Sequence, residues 1–307
     1  MGWAIGYSGG LVSLALIAGL LVADPATGKT LLGLAPLIEL DTLAREGDRL
    51  AGPFAALWLL AFMLPFFLFV PDARAPVAPT SATSSLSDLL ATLKALPAQP
   101  SIALFLVARA LYTDGLAAIF VFGGIYGTAV FDWQPIERGL FGIILTVAGV
   151  AGAAAGGFLD DRFGARRVIL GALAVLIAGS VGILSVSQTH VLFATPVTPK
   201  AAGSEPFSST GEQVFLAFAI LIAIVSAPNQ SASRSLMARL SPPDKTAQYF
   251  GLFAFSGKVT AFAAPLLVAL VTDITASQRA GMASILLFLV AGILVLLPVR
   301  EARAHHT

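Results

Sequence analysis

The 307-residue chain has no cysteine, which excludes disulfides, thiolate catalysis and Cys-ligated metals. Histidine is nearly as scarce: His190, then His305 and His306 in a polar tail, with no metal-ligand spacing among them. Charge is also thin. Asp, Glu, Lys and Arg make up 11% of the residues, against about 25% in soluble domains, and a net charge of +1 offers nothing to nucleic acid. No Gly-x-x-x-x-Gly-Lys-Ser/Thr loop is present to cradle ATP, and no Ser/His/Asp grouping for nucleophilic attack. No cofactor, metal or enzymatic activity is expected. The first basic residue is Lys29, so the apolar run 5–23 lacks the basic flank of a secretory signal.

What the chain has in excess is apolar surface: 57% of its residues are hydrophobic, with mean hydropathy +0.88. A helix needs about 20 such residues to cross a bilayer. Eight runs qualify: 4–23, 51–70, 101–127, 138–159, 166–187, 213–236, 248–271 and 280–298. They are apolar all round rather than alternating, which points to helices and not to a β-barrel. The expected fold is an all-α integral membrane protein with eight transmembrane helices, and its first partner is the lipid bilayer. Segment 71–100, rich in Pro, Ser and Thr, reads as a linker, and its piece 86–96 as a short amphipathic helix on the membrane surface.

Connections alternate in charge. If the turn 160–167 is cytoplasmic, its side of the membrane carries nine Lys and Arg against five on the other, the asymmetry expected of cytoplasmic loops. Both termini are then cytoplasmic. Glycines four apart (Gly6 and Gly10, Gly123 and Gly127, Gly152 and Gly156) mark faces where helices can approach closely.

The same turn carries Gly157, Asp161, Arg162, Gly164, Arg166 and Arg167. It resembles the loop signature of the major facilitator superfamily of secondary transporters. With 109–115 (RALYTDG), 229–240 (NQSASRSLMARL) and 249–258 (YFGLFAFSGK), the chain looks like the vacuole-effluxer branch, the autophagy-related permeases. The resemblance implies a small solute such as an amino acid, moved by alternating access and driven by a proton gradient or by the solute's own gradient, in the cytoplasmic membrane of a bacterium. It also implies twelve spans, of which these eight correspond to helices 5–12. Residues 1–70 would be the last two helices of an N-terminal bundle, 71–100 the linker, 101–299 a six-helix C-terminal bundle and 300–307 a cytoplasmic tail. The turn would act as a latch, with Asp161 facing the helix N-terminus that begins at Gly2 and the arginines pairing with acidic groups. With the first four helices missing, the alternative is a truncated, non-transporting membrane protein, a remnant or a regulatory partner.

Ionisable groups inside a span cost about 2.5–3.5 kcal/mol each on insertion scales and are functional candidates. Here they are Arg109, Asp114, Arg234 and Lys258. Asp114 is either a coupling carboxylate or half of a structural ion pair with Lys258 or Arg109. Arg109 and Lys258 suit an anionic solute group; Arg234 is expected to snorkel to the interface. Pro228 is expected to break its helix, leaving Asn229 and Gln230 as solute ligands or as partners for the freed backbone. Tyr112, Tyr126, Trp133, Tyr249 and Phe250 read as interfacial anchors, although Tyr112 and Tyr126 share a span with Asp114 and are candidates for a cavity wall.

Overall fold

The computed structural model describes residues 2–23, 27–30, 32–38, 40–41, 46–71, 91–201 and 203–300. The chain is a multi-pass, all-α membrane protein in two compact units, Ala4–Thr80 and Ser81–Thr307.

The first unit holds α1 (Gly2–Leu16), which runs into a π-helical turn (Ile17–Leu21), and α2 (Glu46–Phe69). A bridge between Ala23 and Thr30 closes the chain after α1. The apolar side chains of α2, from Leu57 to Phe69, are exposed, as on a helix that faces lipid.

The second unit is built from α3 (Pro100–Phe131), α4 (Pro135–Phe163), α5 (Ala165–Leu184), α6 (Thr210–Leu240), α7 (Thr246–Val259), α8 (Ala263–Thr275) and α9 (Gln278–Leu296). A two-residue hairpin, β1 (His190–Val191) with β2 (Thr195–Pro196), sits between α5 and α6. Helix α6 packs between α4 and α5, while α3 packs on α9. Seven helical stretches among the described residues are long and apolar enough to cross a bilayer, with α7 and α8 forming one of them. The remaining expected run, 4–23, is helical, but its apolar part, Ser8–Leu21, is shorter than a span.

The α4–α6 seam explains two features of the sequence at once. A β-carbon on Gly152 would lie 1.9 Å from the carbonyl oxygen of Ile224, and one on Gly156 would lie 3.0 Å from Cα of Pro228. Pro228 has no N–H, so the carbonyl four residues earlier, that of Ile224, loses its helical donor. That carbonyl points at the bare Cα of Gly152, a Cα–H···O contact that partly offsets the loss. Helix α6 therefore runs unbroken from Thr210 to Leu240 through Pro228, contrary to the break expected there. Among the other glycine pairs, Gly6, Gly10 and Gly123 meet nothing within 4 Å, whereas Gly127 makes room for the Trp133 ring.

The real interruption lies at 260–262, halfway along the apolar stretch Thr246–Thr275. Pro265 follows it in the first turn of α8, where a proline is tolerated because its missing N–H would have had no helical partner. Of the expected surface helix 86–96, residues 91–95 are helical and the earlier part lies outside the described residues. Thr92 is buried there, donating to Gln248 Oε1 (3.0 Å).

Candidate functional site

Helix α3 carries three polar groups within six residues, and each binds a different helix. Arg109 lies over the Phe253 ring, 3.6 Å from guanidinium carbon to centroid, and donates to Phe253 O and Ser256 Oγ of α7. A side chain at Gly257 would collide with that guanidinium. Tyr112, 1% exposed, shares a hydrogen bond of 2.7 Å with Ser233 of α6, and Ser233 in turn donates to Asn229 O. Asp114, 2% exposed, accepts the Ala264 N–H through Oδ2 at 3.0 Å and also bonds to the Ala263 N–H. With Pro265 lacking a donor, those two amides are what α8 has to offer at its start, and Asp114 caps them.

The structure thus brings Arg109 and Asp114 to the interrupted span but corrects how they act. Among the described residues Asp114 makes no ion pair; its partners are backbone amides. Lys258, at the end of α7, is exposed, as is Arg234 on α6. Asn229 is completely buried, and neither atom of its amide has a hydrogen-bond partner among the described residues. Gln230 is half-buried. Tyr112→Phe is expected to cost about 0.6 kcal/mol, the average for hydrogen bonds between membrane helices, as a loss of unfolding free energy with α-helix content unchanged by circular dichroism.

At the turn between α4 and α5, Gly164 adopts φ +83° and ends α4, a conformation that favours glycine. Asp161 is exposed. The neighbouring Asp160 is the buried carboxylate, 3.2 Å from Nη2 of Arg239 at the end of α6. Arg162 lies over Phe163, and Arg166 donates to the carbonyl of Leu297 after α9. Arg167 is exposed and Gly157 meets nothing within 4 Å. Asp160–Arg239 and Arg166–Leu297 tie the α4–α5 turn to α6 and α9.

The opposite end of the bundle holds a cluster that the sequence reading missed. Glu137 and Glu212 stand at the third positions of α4 and α6, where each reaches back to a backbone N–H, of Gln134 and Ser209. Lys200, from the loop before α6, pairs with both, at 3.0 Å from Glu212. Trp133 donates its indole N–H to Glu212 (2.8 Å) and stacks among Phe131, Phe141, Phe207 and Phe215. Trp133, Tyr112, Tyr126 and Tyr249 are all buried, so these four are core groups rather than interfacial anchors; Phe250 is half-buried. A Ser-x-x-Glu capping pattern at Ser209 and Glu212 was the legible signal.

The whole chain, residues 1–307, matches the family described as vacuole effluxer Atg22 like. Autophagy-related protein 22 of Cryptococcus neoformans var. neoformans serotype D is 27% identical over 206 residues, covering 66% of this chain and 34% of that protein. Autophagy-related protein 22-2 of Aspergillus clavatus is 27% identical over 172 residues, 56% of this chain and 27% of that protein. An uncharacterized MFS-type transporter of Bacillus subtilis (strain 168), YxiO, is 26% identical over 204 residues, 66% of this chain and 41% of that protein. The chain spans about a third of the length of these relatives.

Proposed function

The chain belongs to the vacuole effluxer Atg22-like family, a family of transporters, and from that premise we propose that it moves a small solute, an amino acid in the first instance, by alternating access driven by a proton gradient. The observation that carries this reading is the set of polar groups on α3: Arg109, Tyr112 and Asp114 each bind a separate helix, two of them at an interrupted span. Buried polar groups at a helix interruption are the usual construction of a transport site. In this reading the Arg109 guanidinium receives the solute carboxylate, Asn229 and Gln230 contribute hydrogen bonds, and Asp114 carries the coupling proton. Lys258, exposed two residues before the interruption, offers the solute a second positive charge. The α4–α5 turn faces the cytoplasm with both termini, as its arginines suggest, and the membrane is the bacterial cytoplasmic membrane.

The test is uptake of labelled amino acids into proteoliposomes holding the full chain alone, with and without an imposed proton gradient. Accumulation that collapses with a protonophore is expected. Arg109→Lys keeps the charge but loses the planar fork, and is expected to raise the half-saturating solute concentration about tenfold, roughly the worth of one lost charged hydrogen bond. Absence of any flux from monodisperse protein would sink the transport reading. It would favour the rival, a non-transporting subunit or remnant that acts by binding another membrane protein.

A further inference from the structure

We propose that the cavity between α3, α8 and α9 binds an organic ammonium ion with a compact apolar body, and that Asp273 is its charge partner. The site is separate from the one assigned to the solute: Phe122 on its wall lies about 20 Å along α3 from Arg109, at about 1.5 Å per residue. It stands whether or not the chain transports.

The sequence builds this cavity at the end of the bundle opposite the α4–α5 turn. Arg166 of that turn reaches the carbonyl of Leu297 after α9, so the start of α9 and the end of α8 lie at the other end. There Gly281 lets the two helices close up: a β-carbon on it would lie 1.9 Å from Oγ1 of Thr272 and 2.8 Å from the carbonyl oxygen of Val268. Helix α3 brings Phe122 and Tyr126 against this pair. The space left between the three helices is about 290 Å³, at the small end of ligand sites. Its floor is apolar, with Tyr126, Val268 and Met282 all buried.

Asp273 is the only charged residue on the wall. It is exposed, and no cation pairs with it among the described residues. Its place in the last turn of α8 is unfavourable, because the unsatisfied carbonyls of a helix end already carry about −0.5 of a charge. No basic residue in that turn offsets this. A cation set against Asp273 answers both negative charges. Arg279, the nearest basic residue in sequence, belongs to the adjoining cavity of about 390 Å³; it donates to the Leu184 carbonyl and lies 5.2 Å from the Phe193 ring centroid. Lys200 is held by Glu137 and Glu212, and Arg138 sits on α4, which lines neither cavity. The wall supplies the remaining contacts: the aromatic rings of Phe122 and Tyr126 suit a cation, and Gln278 offers an amide oxygen to an N–H. An anion would face an unpaired carboxylate, and an uncharged molecule would leave it unpaired. The ammonium is carried by a free amine or by an ethanolamine lipid headgroup.

The test is isothermal titration calorimetry on the full chain in a non-ionic detergent, stripped of lipid. The probe is phenethylammonium; phenethyl alcohol and hydrocinnamate present the same body without the charge and with the opposite one. Saturable binding at one site per chain is expected for the ammonium, about tenfold tighter than for either control. Asp273→Asn, a change of little volume at an exposed position, is expected to weaken the ammonium about tenfold, roughly the worth of one charged hydrogen bond. Ala269→Phe, at an exposed position on the same wall, fills the cavity and abolishes binding. Added phosphatidylethanolamine that competes, where phosphatidylglycerol does not, identifies the carrier as a lipid headgroup; no competition from either identifies a free amine. Both results support the site. The proposal is overturned if phenethyl alcohol binds as tightly, if phosphatidylglycerol competes equally, or if Asp273→Asn binds unchanged, since the cavity is then only a groove for apolar chains. It is overturned too if binding falls in Arg109→Lys instead of Asp273→Asn, because the probe then occupies the solute site.

Discussion

Gly152→Val is expected to leave almost no monodisperse protein. Ordinary overpacking costs about 1–3 kcal/mol because side chains yield. Here the obstructing atoms are the O, C and Cα of Ile224, at 1.9, 2.7 and 2.9 Å from the added β-carbon. They are backbone atoms, and α4 and α6 would have to separate to make room. The control is Gly157→Val, five residues on in the same helix, where nothing lies within 4 Å. Size-exclusion profiles and thermal unfolding of the two variants, made side by side, measure the difference. Equal behaviour of the pair would mean that the α4–α6 seam is wrong.

Lys200→Met is the second large effect. It leaves Glu137 and Glu212 buried, with side-chain exposures of 4% and 0%, and removes the cation between them. Removing one partner of a buried pair costs about 3–5 kcal/mol, because the remaining charge is uncompensated. The cluster also has a pH signature. Desolvation works against the Lys200 charge, but hydrogen bonds and attraction from Glu137 and Glu212 outweigh it and hold the ammonium above the ordinary lysine value of 10.5. A raised folded-state value means that this stabilisation is complete below the ordinary value and is lost as pH rises through the folded one. Melting temperature is therefore expected to fall in the alkaline range above pH 10.5, and Lys200→Met to flatten that limb. An unchanged alkaline limb in the variant would show that Lys200 does not hold these helices.

Helix positions were legible because a span needs length and apolarity, and the runs 101–127 through 280–298 supplied both. The Gly152–Gly156 spacing was legible for a related reason: two bare positions one turn apart form a stripe on a helix. The interruption was misread because proline has two opposite uses. At Pro228 the freed carbonyl finds Gly152 and the helix continues; at Pro265 the ring starts a new helix and the chain stops before it. Only the identity of the facing helix separates the two cases, and that is a tertiary fact. The same limit explains Asp114. Its composition marked it as unusual inside a span, but an ion pair and a helix cap draw on the same carboxylate, and the partner chosen, at Ala263 and Ala264, lies 150 residues away from it in the case of Ala264. Asp161 and Asp160 show a finer version: adjacent carboxylates at a helix end differ by about 100° in direction, enough to put one on Arg239 and the other in the open.

The Gly152–Ile224 contact is made of backbone alone, and this bears on how the bundle can deform. Side chains that pack by rotamer choice can exchange one arrangement for another at modest cost. A glycine Cα against a carbonyl has no rotamer to exchange and no side-chain entropy to recover. Helices α4 and α6 should therefore carry load as a single stiff body. Any rearrangement of the six spans must then be taken up where contacts are polar and have alternatives: along α3, where Arg109, Tyr112 and Asp114 each hold a different neighbour, and in the three residues between α7 and α8.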